Sequence, residues 1–325
     1  MKKVLGIGNA LVDIMTILEE EEILRHFDLK KGSMQLVDSD FSAKVINHTK
    51  DLKKELSSGG SAANTIHGLA NLGVSSSFIG KTGTDSYGRF FADDMSRIGI
   101  EPLLFLGNAP TGCAIALISP DSERTFATHL GAAIELSAED LNPEIFQGYD
   151  YFYIEGYLVQ NRELIETAVK IAKQYNIKVC LDLASFNVVE QNLDFLNDIV
   201  LNYVDIVFAN EEEAKAFTGK SPEEAVRMIA QMCDIAVVKT GAKGSLVMQG
   251  EKLHRIDPIE CVSSDTTGAG DAYSAGFIYG LTIGLPLDKC GAIGSLLAGR
   301  VIEVIGAKMN ENTWNKIKAD IAGMI

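Results

Sequence analysis

The residues best suited to chemistry lie in the segment 265–271, which reads DTTGAGD. The small residues Gly268, Ala269 and Gly270 open a predicted helix, and free amides at a helix start attract anions. Small side chains also let a phosphate approach the backbone closely. Asp271 lies in the first turn, where a carboxylate can accept the proton of a hydroxyl group that attacks a phosphoryl group. The alternative is an ordinary helix start at which the dipole favours an acidic residue.

Two further segments contain residue types that bind polar substrates. Gly59 and Gly60 permit close backbone approach to a ligand before a predicted helix, and Asn64 in that helix offers a donor and an acceptor to hydroxyl groups. Asn9 and Asp13 follow the first predicted strand, and the carboxylate could accept hydrogen bonds from two neighbouring hydroxyls. Each segment has a plain alternative, a glycine turn before a helix and a turn formed by Asn and Asp.

Two polar segments at the ends of predicted strands could serve a bound nucleotide. Asn210 could cap a helix with Glu213 closing a capping box, or Glu213 could belong to the outer shell of a magnesium–phosphate site. A glycine turn follows a later strand, and it is either a hairpin or a loop that lies against a nucleotide. The candidate residues of this turn are Lys239, Thr240, Gly241 and Gly244.

These segments depend on a regular alternation of strands and helices. From Tyr149 onward, short apolar runs such as 151–154, 177–181 and 206–209 alternate with amphipathic stretches such as 163–175. Such alternation predicts a mainly parallel sheet that is covered by helices on both faces. Ligands then bind at the carboxyl ends of the strands.

A second group of strands interrupts this alternation in the first half of the chain. The segments 32–37, 111–119 and 124–130 have strand character, and the last two are expected to pair across a turn at Pro120. They could form a small sheet apart from the main one. Arg124 begins the third segment, and it is either a functional residue or one of the many arginines that are simply solvated.

The composition limits the class of protein. The 325 residues carry a formal net charge of −15, which argues against a general nucleic-acid binder. No stretch approaches the ~18 apolar residues of a membrane span, and the apolar run 4–8 is too short for a signal peptide. The five scattered cysteines form no CxxC pair and are expected to be reduced. We therefore expect a cytoplasmic protein that binds neither nucleic acid nor membrane.

Taken together and in this order, the segments resemble the ribokinase-like (phosphofructokinase-B type) carbohydrate kinase family. The resemblance covers essentially the whole chain and includes a G-x-x-G-x-D-x-x-G pattern at 80–88. It implies an α/β fold, with a single domain over residues 1–325 and a Rossmann-like, doubly wound, mainly parallel sheet. It also implies a small β-sheet lid, built from insertions near 14–40 and 108–130.

The resemblance implies an ATP-dependent kinase in which each candidate residue has a role. Asp271 would be the catalytic base, and Arg124 would fold over the transferred phosphate. The anion hole would consist of the amides of Gly268, Ala269 and Gly270. The contacts to substrate hydroxyls would come from the first two motifs, namely Asn9, Asp13, Gly59, Gly60 and Asn64.

The family resemblance also implies where cofactors bind. Magnesium would be organised from the outer shell by Asn210 and Glu213, and the nucleotide would lie against the loop of Lys239, Thr240, Gly241 and Gly244. Potassium would bind beside the anion hole, where the candidates are Asp265, Thr267, Val301, Val304 and Gly306.

Within the family, the chain resembles adenosine kinases more than ribokinases. Its first motif reads Gly-Asn-x-Leu-x-Asp, and Ser61 stands where ribokinases and many sugar-phosphate kinases carry lysine. We therefore expect transfer of the γ-phosphate of ATP to a hydroxymethyl group of a nucleoside, by an enzyme that could form a homodimer through the lid. The alternatives are a kinase for ribose, fructose or a sugar phosphate, and a non-catalytic nucleoside or sugar sensor. A nicotinamide dehydrogenase is disfavoured because the segment 6–11 lacks the third glycine of that fingerprint.

Overall fold

Two β-sheets organise the chain, and the functional segments lie where the sheets meet. The structure is a computed structural model that describes residues 2–121 and 123–325. Met1 and Ser122, the latter within the predicted 108–130 insertion, lie outside the described residues.

The strands of the described residues are β1 (Val4–Ile7), β2 (Leu11–Ile17), β3 (Met34–Leu36), β4 (Lys54–Gly59), β5 (Ser76–Thr82), β6 (Ile100–Leu106), β7 (Thr111–Ile118), β8 (Arg124–Gly131), β9 (Tyr151–Glu155), β10 (Lys178–Asp182), β11 (Ile206–Asn210), β12 (Ile235–Lys239), β13 (Ser245–Gln249) and β14 (Lys252–Ile256). The helices are α1 (Glu22–His26), α2 (Ser39–His48), α3 (Ser61–Asn71), α4 (Ser86–Arg97), α5 (Arg162–Gln174), α6 (Phe186–Gln191), α7 (Leu193–Tyr203), α8 (Glu211–Thr218), α9 (Pro222–Ile229), α10 (Ala269–Thr282), α11 (Leu287–Val301) and α12 (Glu311–Met324).

The large sheet has nine strands in the order β14-β13-β12-β11-β10-β9-β1-β5-β6, and only β13 and β14 are antiparallel to their neighbours. Its central strands are short apolar runs because both faces are covered by helices. In β1, Val4 packs into one core, whereas Leu5 and Ile7 pack into a second core on the opposite face. The predicted mainly parallel α/β sheet is therefore confirmed.

The small sheet has five strands in the order β3-β8-β7-β2-β4. The predicted pairing of two consecutive strands is present as the antiparallel hairpin β7–β8. The strand β4 joins the edge of this sheet but lies outside both predicted insertions. Its sequence, KELSSG, is mainly polar, so it carries no alternation of apolar residues that would have predicted a strand.

Two composition-based expectations can be compared with the described residues. No helix in residues 2–121 and 123–325 is long and apolar enough to cross a bilayer. The five cysteines, Cys113, Cys180, Cys233, Cys261 and Cys290, are all free. That the whole chain forms a single domain stays a prediction.

Candidate active site

The carboxyl edge of the large sheet carries polar side chains at the ends of neighbouring strands. Glu155 ends β9, Asp182 ends β10, Asn210 ends β11 and Lys239 ends β12. Asn9 follows β1, the next strand in the sheet. Parallel strands all end at the same edge, so a regular succession of strands brings residues from five separate segments together.

Asp271 is held by two side chains of the helix that begins with the GGSAAN motif. Ser61 Oγ donates to Asp271 Oδ1 at 2.7 Å, and Asn64 Nδ2 donates to Asp271 Oδ2 at 3.0 Å. Helix α3 can approach α10 this closely because Gly68 faces Ala275, where an added Cβ would lie 2.7 Å from the Ala275 Cβ. The structure thus joins the segment 59–64 to the segment 265–271 of the predicted site.

Asn64 makes a contact within the protein that the sequence did not predict, and its contact with a substrate hydroxyl stays a prediction. Its amide nitrogen binds Asp271 rather than being free for a substrate hydroxyl. Its Oδ1 atom is buried and has no hydrogen-bond partner among the described residues. Asn64 therefore orients the carboxylate and keeps one acceptor available for a ligand.

The protonation of Asp271 is balanced between burial and hydrogen bonding. Burial raises the pKa of Asp271 to about 6, against the lowering effect of the hydrogen bonds from Ser61 and Asn64. The nearby Asp182 raises this pKa and Lys239 lowers it. A carboxylate with this pKa is ionised at neutral pH and is a stronger base than an ordinary aspartate.

The predicted anion hole lies at the start of α10. Gly268 adopts a left-handed conformation with φ of 76°, and no side chain of the described residues caps the helix start. Of the three predicted amides, that of Ala269 donates to the carbonyl of Thr266 at 3.2 Å. An added Cβ at Gly270 would lie 3.0 Å from Lys239 Nζ, so an ammonium group lies beside the helix start.

Lys239, predicted as part of the glycine turn, ends β12 and lies beside the start of α10. Its Nζ atom donates to Asp182 Oδ2 at 3.0 Å, and both side chains are largely buried. The carboxylates of Asp182, Glu213 and Asp271 raise the pKa of Lys239 against the opposing effect of burial, which is the largest. Sequence reasoning missed Asp182, although an acidic residue ending an apolar strand is a signal that could have found it.

Asn210 and Glu213 form the predicted capping box. Asn210 Oδ1 accepts from the Glu213 amide at 2.8 Å, and Glu213 Oε2 accepts from the Asn210 amide at 2.7 Å. Burial and the charge of Asp182 raise the pKa of Glu213 to about 7. No three metal-ligating side chains cluster anywhere in the described residues.

Glu155 is a buried carboxyl group that sequence reasoning missed. Its side chain accepts from Asn9 Nδ2 at 2.5 Å and from the amide of Ala62 at 3.0 Å. Burial raises the pKa of Glu155 to about 7. Asn9 is therefore positioned by Glu155. Position 60 requires glycine, because an added Cβ there would lie 2.1 Å from the carbonyl oxygen of Asn9.

Asp13 lines a cavity between the small sheet and the loop residues Thr267 and 305–308. Gly59 makes room for it, because an added Cβ would lie 2.2 Å from Asp13 Oδ1. The cavity has a volume of about 180 Å³ and is lined by Asp13, Met15, Glu55, Leu56, Ser57, Arg124, Phe126, Thr267, Ile305, Gly306, Ala307 and Lys308. Burial raises the pKa of Asp13 to about 6, while the charge of Lys308 lowers it. No hydrogen bond to the Asp13 side chain occurs in the part of the chain that the structure describes.

Arg124 is buried rather than solvated. It begins β8, its side chain is 8% exposed, and it forms an ion pair with Asp265. Asp265 also accepts from the amide of Thr267 at 2.9 Å and from the amide of Gly306 at 2.6 Å. The solvated alternative for Arg124 is therefore wrong. Of the remaining residues of the predicted potassium site, Val301 ends α11 and Val304 lies in the turn that follows it.

The glycine turn after β12 is tightly closed. Thr240 Oγ1 donates to the Gly244 carbonyl at 2.9 Å, and Gly241 and Gly244 have φ of 55° and 86°. An added Cβ at Gly244 would lie 1.9 Å from the carbonyl oxygen of Ile256. The turn connects the antiparallel strands β12 and β13, and its contact with a nucleotide stays a prediction.

Comparisons with known proteins agree with this geometry. The family model described as pfkB family carbohydrate kinase matches residues 33–314. A probable sugar kinase from Rhizobium etli CFN 42 is 32% identical, with a TM-score of 0.87 over 100% of this chain and 99% of that one. The adenosine kinase of Sinorhizobium meliloti is 31% identical, with a TM-score of 0.86 over 98% and 99%. Adenosine kinase 1 of Arabidopsis thaliana is 25% identical over 336 residues, 94% of this chain and 96% of that protein.

Asp271 lies at the start of α10, at the carboxyl edge of the parallel sheet. Together with the relatives, this arrangement defines a phosphotransferase that acts on hydroxyl groups. The chain belongs to the pfkB family of carbohydrate kinases, and it is a sugar or nucleoside kinase. The expected ribokinase-like fold and the similarity to adenosine kinases are both confirmed.

Proposed function

We propose that the enzyme transfers the γ-phosphate of ATP to a hydroxymethyl group of a nucleoside of the adenosine class, with Asp271 as general base. The observation that carries this proposal is the pair of hydrogen bonds from Ser61 and Asn64 to Asp271, at 2.7 and 3.0 Å. They orient a carboxylate beside the helix start, where an acceptor oxygen and a phosphoryl group could meet. Asp271 would accept the hydroxyl proton as the oxygen attacks the γ-phosphorus and ADP leaves.

The cavity at Asp13 supports an acceptor with a polar and an apolar part. Asp13 would accept hydrogen bonds from two hydroxyl groups of the pentose. Part of the wall is apolar and consists of Met15, Leu56, Phe126 and Ile305. An aromatic base would bury apolar area against such a wall, whereas a free sugar would leave it exposed to water. This contrast favours a nucleoside over ribose or fructose.

The phosphate groups of ATP would lie between the start of α10 and Lys239, with the anion hole formed by Gly268, Ala269 and Gly270. Both oxygens of Glu213 already accept hydrogen bonds within the capping box, so Glu213 and Asn210 would hold magnesium through water molecules rather than directly. Magnesium would neutralise charge on the phosphates when bound. The turn with Thr240, Gly241 and Gly244 would lie against the adenosine part of ATP.

We also propose potassium binding at Asp265 and Thr267, with carbonyl groups of Val301, Val304 and Gly306. Arg124 supplies the positive charge next to Asp265 in this conformation. Potassium would bind when Arg124 moves towards the phosphates. Titration of potassium chloride into an assay free of sodium and potassium should raise kcat, with choline chloride as the control, and a flat response contradicts the site.

Assembly and location stay predictions of the sequence. The edge strand β3 exposes Met34 and Leu36, which are 57% and 62% accessible. A homodimer through the small sheet would cover such apolar side chains, and light scattering should then give twice the mass of 35.1 kDa. A monomer at all concentrations would contradict the dimer. We expect the enzyme to act in the cytoplasm.

The experiment that tests the function compares kcat/KM for adenosine, guanosine, ribose, fructose and fructose 6-phosphate with ATP and magnesium. We expect a nucleoside to be the preferred acceptor. A free sugar or a sugar phosphate that is preferred by tenfold or more, about 1.4 kcal/mol in transition-state binding, contradicts the nucleoside assignment. Tight binding of a nucleoside without phosphate transfer to any acceptor would instead favour the sensor.

A further inference from the structure

Lys308 is a largely buried lysine beside the cavity that contains Asp13. The residue follows Ala307, whose Cβ packs against Gly268 at the start of α10. Lys308 lines the cavity together with Asp13. Its Nζ atom is buried and has no hydrogen-bond partner among the described residues. None of the motifs from which the site was predicted includes this lysine.

A buried ammonium group without a hydrogen-bond partner is costly, so such groups in native structures have a partner, an ordered water or a functional reason. The charges that act on Lys308 are those of Asp13, Asp94 and Asp271, but none forms an ion pair with it in the described residues. Arg124 is the other cation in the cavity, and it is occupied by Asp265. Among the described residues, none therefore neutralises Lys308 by direct contact.

The surrounding charges select the chemistry of that partner. An anionic ligand would be repelled by Asp13 and Asp271, so a second phosphate or carboxylate on the acceptor is unfavourable. A hydroxyl group suits both Asp13 and Lys308, because it can donate a hydrogen bond to a carboxylate and accept one from an ammonium group at the same time. Burial lowers the pKa of Lys308 to about 8, so the ammonium form predominates at neutral pH.

We propose that Lys308 is a specificity-determining residue that completes, together with Asp13, a clamp for a vicinal diol of the acceptor. Asp13 accepts hydrogen bonds from the two hydroxyl groups, and Lys308 donates a hydrogen bond to a hydroxyl oxygen. The inference rests on the proposed function for the identity of the acceptor. Its consequence is strong rejection of deoxy analogues, because loss of a hydroxyl leaves a buried ammonium or carboxylate unpaired.

A purely structural role predicts a different behaviour. If Lys308 only compensates the charges of Asp13 and Asp94, its loss should weaken the binding of every acceptor by the same factor. If it contacts the diol, its loss should weaken acceptors that have the diol much more than those that lack the contacted hydroxyl. The ratio of the affinity for an acceptor with the diol to the affinity for its deoxy analogue therefore distinguishes a contact with the diol from a purely structural role.

The experiment measures binding by calorimetry without ATP, for adenosine, 2′-deoxyadenosine and 3′-deoxyadenosine. We expect wild type to bind adenosine at least about 100-fold more tightly than one deoxy analogue, as for loss of a charged hydrogen bond in a closed site. Lys308→Met should weaken adenosine binding by about 10–100-fold and that analogue by less than about threefold. Lys308→Gln keeps a hydrogen-bond donor, so its ratio of adenosine affinity to deoxy-analogue affinity should lie between those of wild type and Lys308→Met.

Two controls keep the result interpretable. Lys318→Met removes an exposed lysine of α12 and should leave all three affinities unchanged. The KM for ATP of Lys308→Met and Lys308→Gln reports whether the site is folded. If the preference for adenosine over the deoxy analogues is the same in wild type and in both Lys308 variants, the clamp is overturned.

Failure of the nucleoside assignment is distinguishable from failure of the clamp. If wild type binds ribose but none of the nucleosides, the nucleoside assignment fails and the same comparison uses ribose, 2-deoxyribose and 3-deoxyribose. If Lys308→Met loses the preference for ribose over its deoxy analogues, this result would still support the clamp. Equal affinity of wild type for the diol acceptor and both of its deoxy analogues overturns the clamp, even if phosphate transfer occurs.

Discussion

At the residue scale, the orientation and protonation of Asp271 decide whether it can act as a base. Its two oxygens accept hydrogen bonds from separate donors, Ser61 and Asn64. Each oxygen keeps a further lone pair, so a substrate hydroxyl can still donate to the carboxylate. The two contacts thus fix the carboxylate without consuming its capacity as an acceptor.

Replacing the carboxylate tests this role. Asp271→Asn keeps the shape but removes the basic oxygen, and general-base catalysis is typically worth ~10²–10⁴-fold. We expect kcat to fall by roughly that factor, while acceptor binding stays within a few-fold of wild type. The matched control is Asp320→Asn on the exposed face of α12. Turnover of Asp271→Asn within about threefold of wild type would mean that another group is the base.

The pH profile should reflect the same carboxylate. Asp271 must be ionised to accept a proton, and its pKa is raised to about 6. We therefore expect kcat/KM to rise with pH through about 6 and to level off above it. The hydrogen bond from Ser61 lowers this pKa, so Ser61→Ala should move the acidic limb to higher pH. An acidic limb that does not respond to Ser61→Ala would count against Asp271 as its source.

At the scale of elements, β8 connects the small sheet to the start of α10. Arg124, the first residue of β8, pairs with Asp265, which also binds the amides of Thr267 and Gly306. This ion pair thereby links the small sheet to the segment that precedes α10. We propose that the small sheet is a lid and that Arg124 changes partners, from Asp265 to the transferred phosphate, as it closes.

Removal of the guanidinium group tests this exchange. Arg124→Ala should lower kcat by about 10²–10³-fold, as for loss of one group that stabilises the transition state, and should change the Kd for the acceptor only slightly. Because Asp265 would lose its partner, Arg124→Lys is measured in parallel and should fold like wild type with reduced kcat. Arg227→Ala, at an exposed ion pair, is the control. An unchanged kcat in both Arg124 variants would leave the ion pair with a structural role only.

At the scale of the whole molecule, the active site concentrates buried carboxyl groups. The pKa is raised to about 6 for Asp13 and Asp271 and to about 7 for Glu155 and Glu213, with burial as the largest cause in each case. Between pH 4 and 7 the folded enzyme thus holds these protons more tightly than the unfolded chain. Their contribution to stability is present at low pH and is lost as the pH rises through the folded pKa values.

Glu155 offers the clearest test, because it is 1% exposed. Gln at this position resembles the protonated acid, so the free energy of unfolding of Glu155→Gln relative to wild type should increase between pH 5 and pH 8. A shift from 4.5 to about 7 corresponds to at most about 3 kcal/mol. Urea unfolding at both pH values measures it, with Glu163→Gln at an exposed position of α5 as control. A difference that does not depend on pH would mean that Glu155 stays ionised throughout.

The sequence by itself determined the class of fold and the candidate motifs, because both depend on local patterns. Apolar runs that alternate with amphipathic helices specify a parallel sheet, and a parallel sheet specifies the edge at which ligands bind. The left-handed Gly268 and the capping box of Asn210 and Glu213 are likewise determined by residues within a few positions of each other. The edge strand β4 escaped prediction because it is polar and packs little.

Only the tertiary structure decided which of these residues act on one another. Ser61 and Asp271 are separated by 210 positions, and their contact exists because α3 and α10 pack on the same face of the sheet. Burial, which raises the pKa of Glu155 and lowers the pKa of Lys308, is a property of the assembled layers. The spacing of residues along the chain cannot predict this burial, because the dielectric surroundings of a charge are set by atoms from many distant segments.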